Sequence, residues 1–206
     1  MASKGGRGAA RRRALALTAA GLLVLALLFF VLDQPIASWI SSTRTPWLTS
    51  FFHGVSQLRG IVFFGLAGAA VLGVGAIFGA GGLKRAGTTM VVAVLVSALA
   101  VCVLKPIVAR HGPAGWGDQT GESWLVRRWG RFPSGHTAAA FSAAAGLASV
   151  YPATAPIGYA LGGVVAYERI YRKVHYPSDC LAGAWLGVLA ARWAARRCGG
   201  GTKGRK

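Results

Sequence analysis

Residues Ala14–Leu32 read ALALTAAGLLVLALLFFVL, a run without a single charged side chain, preceded by Lys4, Arg7, Arg11, Arg12 and Arg13. As a helix, such a run spans the hydrocarbon core of a bilayer, roughly 30 Å. It is longer than the apolar stretch of a secretory signal, and Asp33-Gln34-Pro35 after it is no small-residue cleavage site. An uncleaved transmembrane helix is expected.

Working outward, the pattern recurs. Gly60 to Leu83 is a second apolar run, closed by Lys84-Arg85, and Ala86 to Leu104 is a third, ending at Lys105-Pro106. Thr137 to Tyr151, Ile157 to Ile170 and Cys180 to Ala195 give a fourth, fifth and sixth, each short of the span length of about 20 residues. Between the first two runs, Asp33 to Arg59 mixes Trp39, Trp47, Phe51, Phe52 and His53 with polar residues. That segment reads as an interfacial loop or short surface helix, with tryptophans at headgroup level.

Composition agrees. The 206 residues are 54% apolar, and 23 basic side chains against five acidic ones give a net charge of +18. The mean hydropathy is +0.50. The basic residues sit at the edges of uncharged runs rather than over a folded polar face, which argues against a nucleic-acid-binding module. Cys102, Cys180 and Cys198 have no metal-ligand spacing and read as reduced thiols. The expected fold is an all-α integral membrane bundle of about six transmembrane helices over residues 14–197, between basic disordered tails at 1–13 and 198–206. Gathering the N-terminal cluster, Lys84-Arg85 and the C-terminal basic residues on one side places the N-terminus inside.

With helices alternating in direction, three polar clusters arrive on one membrane face. They are Lys105 to Pro113 (KPIVARHGP), Phe132 to Thr137 (FPSGHT) and Arg169 to Asp179 (RIYRKVHYPSD). Pro133-Ser134-Gly135-His136 stands at the start of a helix, where unpaired N–H groups and the positive helix end favour an anion. Ser134 has a plain alternative role as helix cap; His136 has none. His175 and Asp179 are four apart, and a carboxylate fixing one imidazole nitrogen leaves the other as a nucleophile. An isolated His–Asp pair is also a common structural device. Two histidines among Lys105, Arg110 and Arg169 are harder to explain that way. The clusters have no compact metal-ligand motif, so neither metal nor cofactor is expected.

These clusters resemble the three signature motifs of the type 2 phosphatidic acid phosphatase superfamily, which includes lipid phosphate phosphatases and vanadium haloperoxidases. Its pattern is Lys-x6-Arg-Pro, then Pro-Ser-Gly-His, then Ser-Arg-x5-His-x3-Asp. Lys105 and Pro113 fit the first, Pro133 to His136 the second, and Arg169, His175 and Asp179 the third. The resemblance covers Lys105 to Gly187. It implies a membrane lipid phosphatase in which His175 is the nucleophile, Asp179 orients it, and His136 is the general acid. Lys105, Ser134, Gly135 and Arg169 would hold the phosphate. Two positions depart from the pattern: Gly112 stands for the arginine and Glu168 for the serine. Arg110 is the expected substitute ligand, with His111 beside it, and Glu168 is expected to pair with Arg172 at i,i+4. A family member silenced by the missing arginine, acting as a membrane binding or scaffold protein, is the alternative. The implied partners are a lipid phosphate and the bilayer, with the site on the extracytoplasmic face of the plasma membrane. Asp118 and Glu122 read as solvated loop residues.

Overall fold

The computed structural model describes residues 4–56, 60–113 and 130–198, and among them every regular element is a helix. Helix α1 (Lys4–Leu27) passes through a π-helical turn, Leu28–Leu32, into α2 (Asp33–Ser42), followed by α3 (Pro46–Ser56) and α4 (Gly60–Ile77). Then come α5 (Gly81–Val108), α6 (Gly135–Ala148), α7 (Ala155–Tyr171) and α8 (Pro177–Cys198). Asp118 and Glu122 lie outside the described residues, as do the extreme ends of both expected tails.

The first apolar run does not stop at Leu32. Asp33 and Pro35 look like a break, yet the wide π-helical turn carries the helix past them: the Asp33 N–H donates back to the Leu28 carbonyl, and the Asp33 side chain is bonded to Ser178 and Arg110. The chain therefore continues as helix to Ser42. Upstream, α1 begins at Lys4 rather than Ala14, because alanine and arginine are strong helix formers and extend a helix already nucleated by the apolar run. Among the described residues, three segments are long and apolar enough to cross a membrane: Thr18–Ser42, Gly60–Ile77 and Gly81–Val108. Helix α6, at 14 residues, is shorter.

Helix α6 is the axis of the bundle and packs on α4, α5, α7 and α8. It suits that place because its buried face is small: Ala138, Ala139, Ala140, Ala143, Ala144 and Ala145. Opposite it, a Cβ at Gly183 or Gly187 of α8 would run into the Ser134 or Ala138 carbonyl oxygen, so these glycines permit the approach of the two backbones. Between apolar helices in lipid, small residues and a few interhelical hydrogen bonds supply the cohesion. Ser142 provides one such bond, donating to Ser97 Oγ at 2.9 Å. The large side chains face outward instead, with Leu23, Leu66, Leu99 and Leu161 exposed to what is lipid in a membrane. Met90 and Val94 of α5 pack with Ala139 and Ala143 to close the core.

Candidate active site

One end of the bundle gathers the C-termini of α5 and α7 with the N-termini of α4, α6 and α8. Helix α5 ends with Ala109 in the left-handed region (φ 44°), which turns Arg110 back toward the bundle. The strand of chain before α6 runs beside it: Arg131 N–H donates to the Arg110 carbonyl at 2.8 Å, and Lys105 Nζ donates to the Gly130 carbonyl at 3.0 Å. Ser134 caps α6: its Oγ accepts the Thr137 N–H at 3.5 Å and the Thr137 hydroxyl at 3.0 Å. Its own N–H donates to the Asp179 carbonyl at 2.9 Å, locking the second cluster to the third.

Beyond α7, the Val174 and His175 N–H groups both donate to the Arg169 carbonyl, at 3.0 and 3.2 Å. Lys173 takes the left-handed conformation (φ 56°) that this reversal needs. The loop thereby presents a buried His175, whose Nδ1 lies 3.4 Å from Asp179 Oδ2. The same Asp179 oxygen accepts the Tyr176 N–H at 2.9 Å. Burial lowers the His175 pKa below its ordinary value, although the hydrogen bond and charge of Asp179 oppose this. Burial would raise Asp179, but the His175 and Tyr176 bonds and the Arg110 charge outweigh it and hold the carboxyl low. The pair is thus a neutral imidazole against a carboxylate.

His136, at the first turn of α6, shares this end. Burial first, then the charges of Arg169, His175, Lys105 and Arg172, lower its pKa to about 3. Lys105 and Arg169 act electrostatically on both histidines, and His175 acts on His136, so the two imidazoles lie within reach of the same two cations and of each other. Arg169 is itself gripped by Glu168, which takes its Nε and, at 2.7 Å, its Nη2. The expected Glu168–Arg172 pair is present at 3.6 Å, but Arg169 is the closer partner. Glu168 is almost fully buried, as are Arg169 and Asp179.

Arg110, the expected substitute ligand, is engaged by acidic partners. Its Nη1 donates to Ser178 Oγ at 2.7 Å and to Asp179 Oδ1 at 3.0 Å, and its Nη2 pairs with Asp33 Oδ2 at 2.8 Å. The guanidinium is taken up behind Asp179, because two carboxylates there outcompete an open site. The space a side chain at Gly112 would fill is occupied by Arg131, whose Nε would stand 2.5 Å from such a Cβ. Arg131 Nη1 donates to the Val174 carbonyl at 2.9 Å, next to His175. His111 is exposed and lines a small cavity of about 160 Å³ with Asp33, Arg110 and Tyr176. His53, on α3, is exposed. Among the described residues no three His, Cys, Asp or Glu side chains cluster as metal ligands.

Sequence reasoning missed Asp33, Ser178 and Arg131. Asp33 had a signal: it is one of only five acids in the chain and directly follows an apolar span, where a carboxylate is costly without a partner.

The family model of the PAP2 superfamily matches residues 86–199, more than half of the chain. No curated protein matches the sequence significantly. Among solved structures, LpxE of Aquifex aeolicus is similar with a TM-score of 0.64 and 26% identity, covering 82% of this chain and 98% of that one. The first transmembrane PAP2-type phosphatidylglycerolphosphate phosphatase of Bacillus subtilis has the same fold, with a TM-score of 0.64 and 23% identity over 93% of this chain and 98% of its own. The chain belongs to the PAP2 superfamily, and this membership, on an apolar all-helical bundle, supports a membrane lipid phosphatase.

Proposed function

We propose that the protein hydrolyses a lipid phosphate monoester or diphosphate through a phosphohistidine intermediate. The single observation that carries this reading is the pairing of a neutral, carboxylate-backed His175 with a second imidazole, His136, under the same two cations, Lys105 and Arg169.

His175 Nε2 attacks phosphorus, forming the N–P bond while the bond to the lipid oxygen breaks. Asp179 holds the Nδ1–H and stabilises the charge that the ring acquires. His136 gives its proton to the departing alkoxide, then takes one from the water that cleaves the N–P bond. In the empty site His136 is neutral, since its pKa lies near 3. The negative charge of a bound phosphate offsets Lys105 and Arg169, so substrate binding itself loads the acid. Lys105, Arg169 and the N–H groups at the start of α6, Gly135 among them, stabilise the equatorial oxygens, with Ser134 shaping that helix start. This fixed positive charge makes the reaction independent of a metal.

The site at one end of the bundle suits an amphiphile whose head group enters while its tails stay in lipid. A polyprenyl diphosphate, phosphatidylglycerol phosphate or phosphatidic acid meets that requirement; the Bacillus subtilis neighbour is named for the second of these. The basic N-terminus and Lys84-Arg85 favour the opposite end as cytoplasmic, which puts the site on the extracytoplasmic face of the plasma membrane. The test is phosphate release from a panel of these lipids by purified protein in detergent, with and without EDTA. His175→Ala is expected to abolish release, and EDTA to leave it unchanged. Full release by the alanine variant would refute the mechanism.

A further inference from the structure

The π-helical turn at Leu28–Leu32 is where the first helix touches the site. Each residue added to a helix rotates the remainder of that helix by about 100°, and wide turns of this kind recur at functional positions. Here the turn brings two groups to one spot. The Phe29 carbonyl accepts from Arg110 Nη2 at 3.3 Å, and Asp33 is buried at 2% exposure.

Asp33 then makes two connections. One oxygen accepts the Ser178 N–H at 2.9 Å. The other accepts from Ser178 Oγ and pairs with Arg110 Nη2 at 2.8 Å. On its far side the Arg110 fork reaches Asp179 Oδ1 at 3.0 Å. The guanidinium plane is held between two rings, 3.8 Å from the Phe29 centroid and 4.4 Å from that of Tyr176. Tyr176 is fixed in turn by Gln34, whose Nε2 donates to its hydroxyl at 2.7 Å. One cation therefore bridges two buried carboxylates, and only the second of them faces the nucleophile.

We propose that Asp33 and Arg110 are positioning residues of the His175–Asp179 pair: the Asp33 carboxylate balances part of the Arg110 charge and so sets how strongly Asp179 holds the His175 ring. The inference rests on His175 being the nucleophile. It gives the first helix, outside the family match, a role in the chemistry. It also gives Arg110 a role behind the nucleophile rather than on the phosphate.

The charges make a signed prediction. His175 feels Asp179 from α8, Lys105 from α5 and Arg169 from α7, and it is coupled to His136 of α6; Arg131 is bonded to the neighbouring Val174 carbonyl, and Arg110 acts through Asp179. Removing the Asp33 charge leaves Arg110 unbalanced, weakening Asp179 as a partner, so the His175 pKa falls. Removing the Arg110 charge leaves Asp179 without its compensating cation, so the His175 pKa rises. Removing both restores much of the original balance. A misplaced side chain without electrostatic coupling would not give shifts of opposite sign.

The experiment is an NMR titration of the full-length protein in detergent, labelled with ¹⁵N-histidine, with the His175 signal assigned by its absence from His175→Ala. Asp33→Asn is expected to lower the His175 midpoint, Arg110→Gln to raise it, and the double variant to return toward wild type. In turnover, each single variant loses about tenfold or more in kcat with KM within about threefold, and the double loses less than the product of the two. Arg110→Lys keeps the charge without the fork. It should leave the midpoint in place while kcat falls, and it carries the test if Arg110→Gln does not fold. Shifts of the same sign, no shift in the folded variants, or a lysine variant that titrates like the glutamine one would overturn the proposal. The titration needs no turnover, so it separates this inference from the proposed activity. Full phosphate release by His175→Ala would sink the latter while leaving the charge coupling readable.

Discussion

Gly60, the first residue of α4, lies directly against His136: a Cβ built at position 60 would stand 2.7 Å from the ring Cδ2 and 2.9 Å from the His136 Cα. The wall behind the proposed acid is thus a bare backbone, and the imidazole has no room to retreat. Gly60→Ala forces the ring or the helix end to move. Because a shift of about 1 Å in a reacting group costs on the order of 10²-fold, kcat should fall ten- to a hundredfold with KM little changed. Wild-type kcat in the alanine variant would mean that the ring position is unimportant.

Asp179→Asn keeps the shape of the pair but offers His175 an amide. The imidazole is then no longer held in the tautomer that leaves Nε2 free, and loss of about 10²- to 10⁴-fold in kcat is expected, by analogy with other carboxylate–histidine pairs. Asp179 also raises the His175 pKa against the effect of burial. Its removal should therefore move the acid limb of kcat/KM to lower pH. A limb moving upward would contradict this assignment.

The third prediction concerns protons and anions. His136 starts from a pKa of about 3, lowered by burial and then by nearby cations. A bound anion offsets those cations, so the shift must be upward. Titrating the His136 NMR signal with inorganic phosphate, against chloride at equal ionic strength, should raise its midpoint. No change would show that phosphate binds elsewhere.

Glu168 replaces the serine of the family pattern and holds a buried Arg169 by two bonds. Removing one partner of such a pair strands a charge, at a cost of about 3–5 kcal/mol. Glu168→Ala should lower the thermal midpoint in detergent markedly. Glu168→Gln, which retains one acceptor, should lower it less. Equal midpoints for wild type and alanine would indicate that Arg169 finds another partner.

Restoring the pattern arginine should not help. At position 112 any side chain collides with Arg131, which is buried and anchored on the Val174 carbonyl. Gly112→Arg is expected to reduce phosphate release severalfold by displacing Arg131 and the His175 loop. Raised activity would mean that the guanidinium missing at 112 had not been replaced.

Much of this was legible in the chain itself. Uncharged runs bounded by Lys and Arg specify apolar helices, because a bilayer leaves the backbone few other ways to satisfy its hydrogen bonds. The spacing of His175 and Asp179, and Pro133 to His136 before an alanine-rich helix, marked out the groups proposed to react. The length of the first helix was less clear, since Asp33 and Pro35 signal a helix start as readily as a stop. Ser134 could be read as cap or ligand, and in the structure its Oγ accepts the Thr137 N–H of the helix start.

What local sequence could not specify was pairing between distant segments. Arg110 is two residues from Gly112, where the family pattern has arginine, which made it the natural candidate for the phosphate. Its destination was decided by Asp33, 77 positions upstream in the numbering, and by Asp179 across the bundle. Arg131 reaches the space at Gly112 only because the chain before α6 runs beside the end of α5. A buried cation goes where the strongest acceptors converge, and convergence is a property of the packed helices rather than of any one of them.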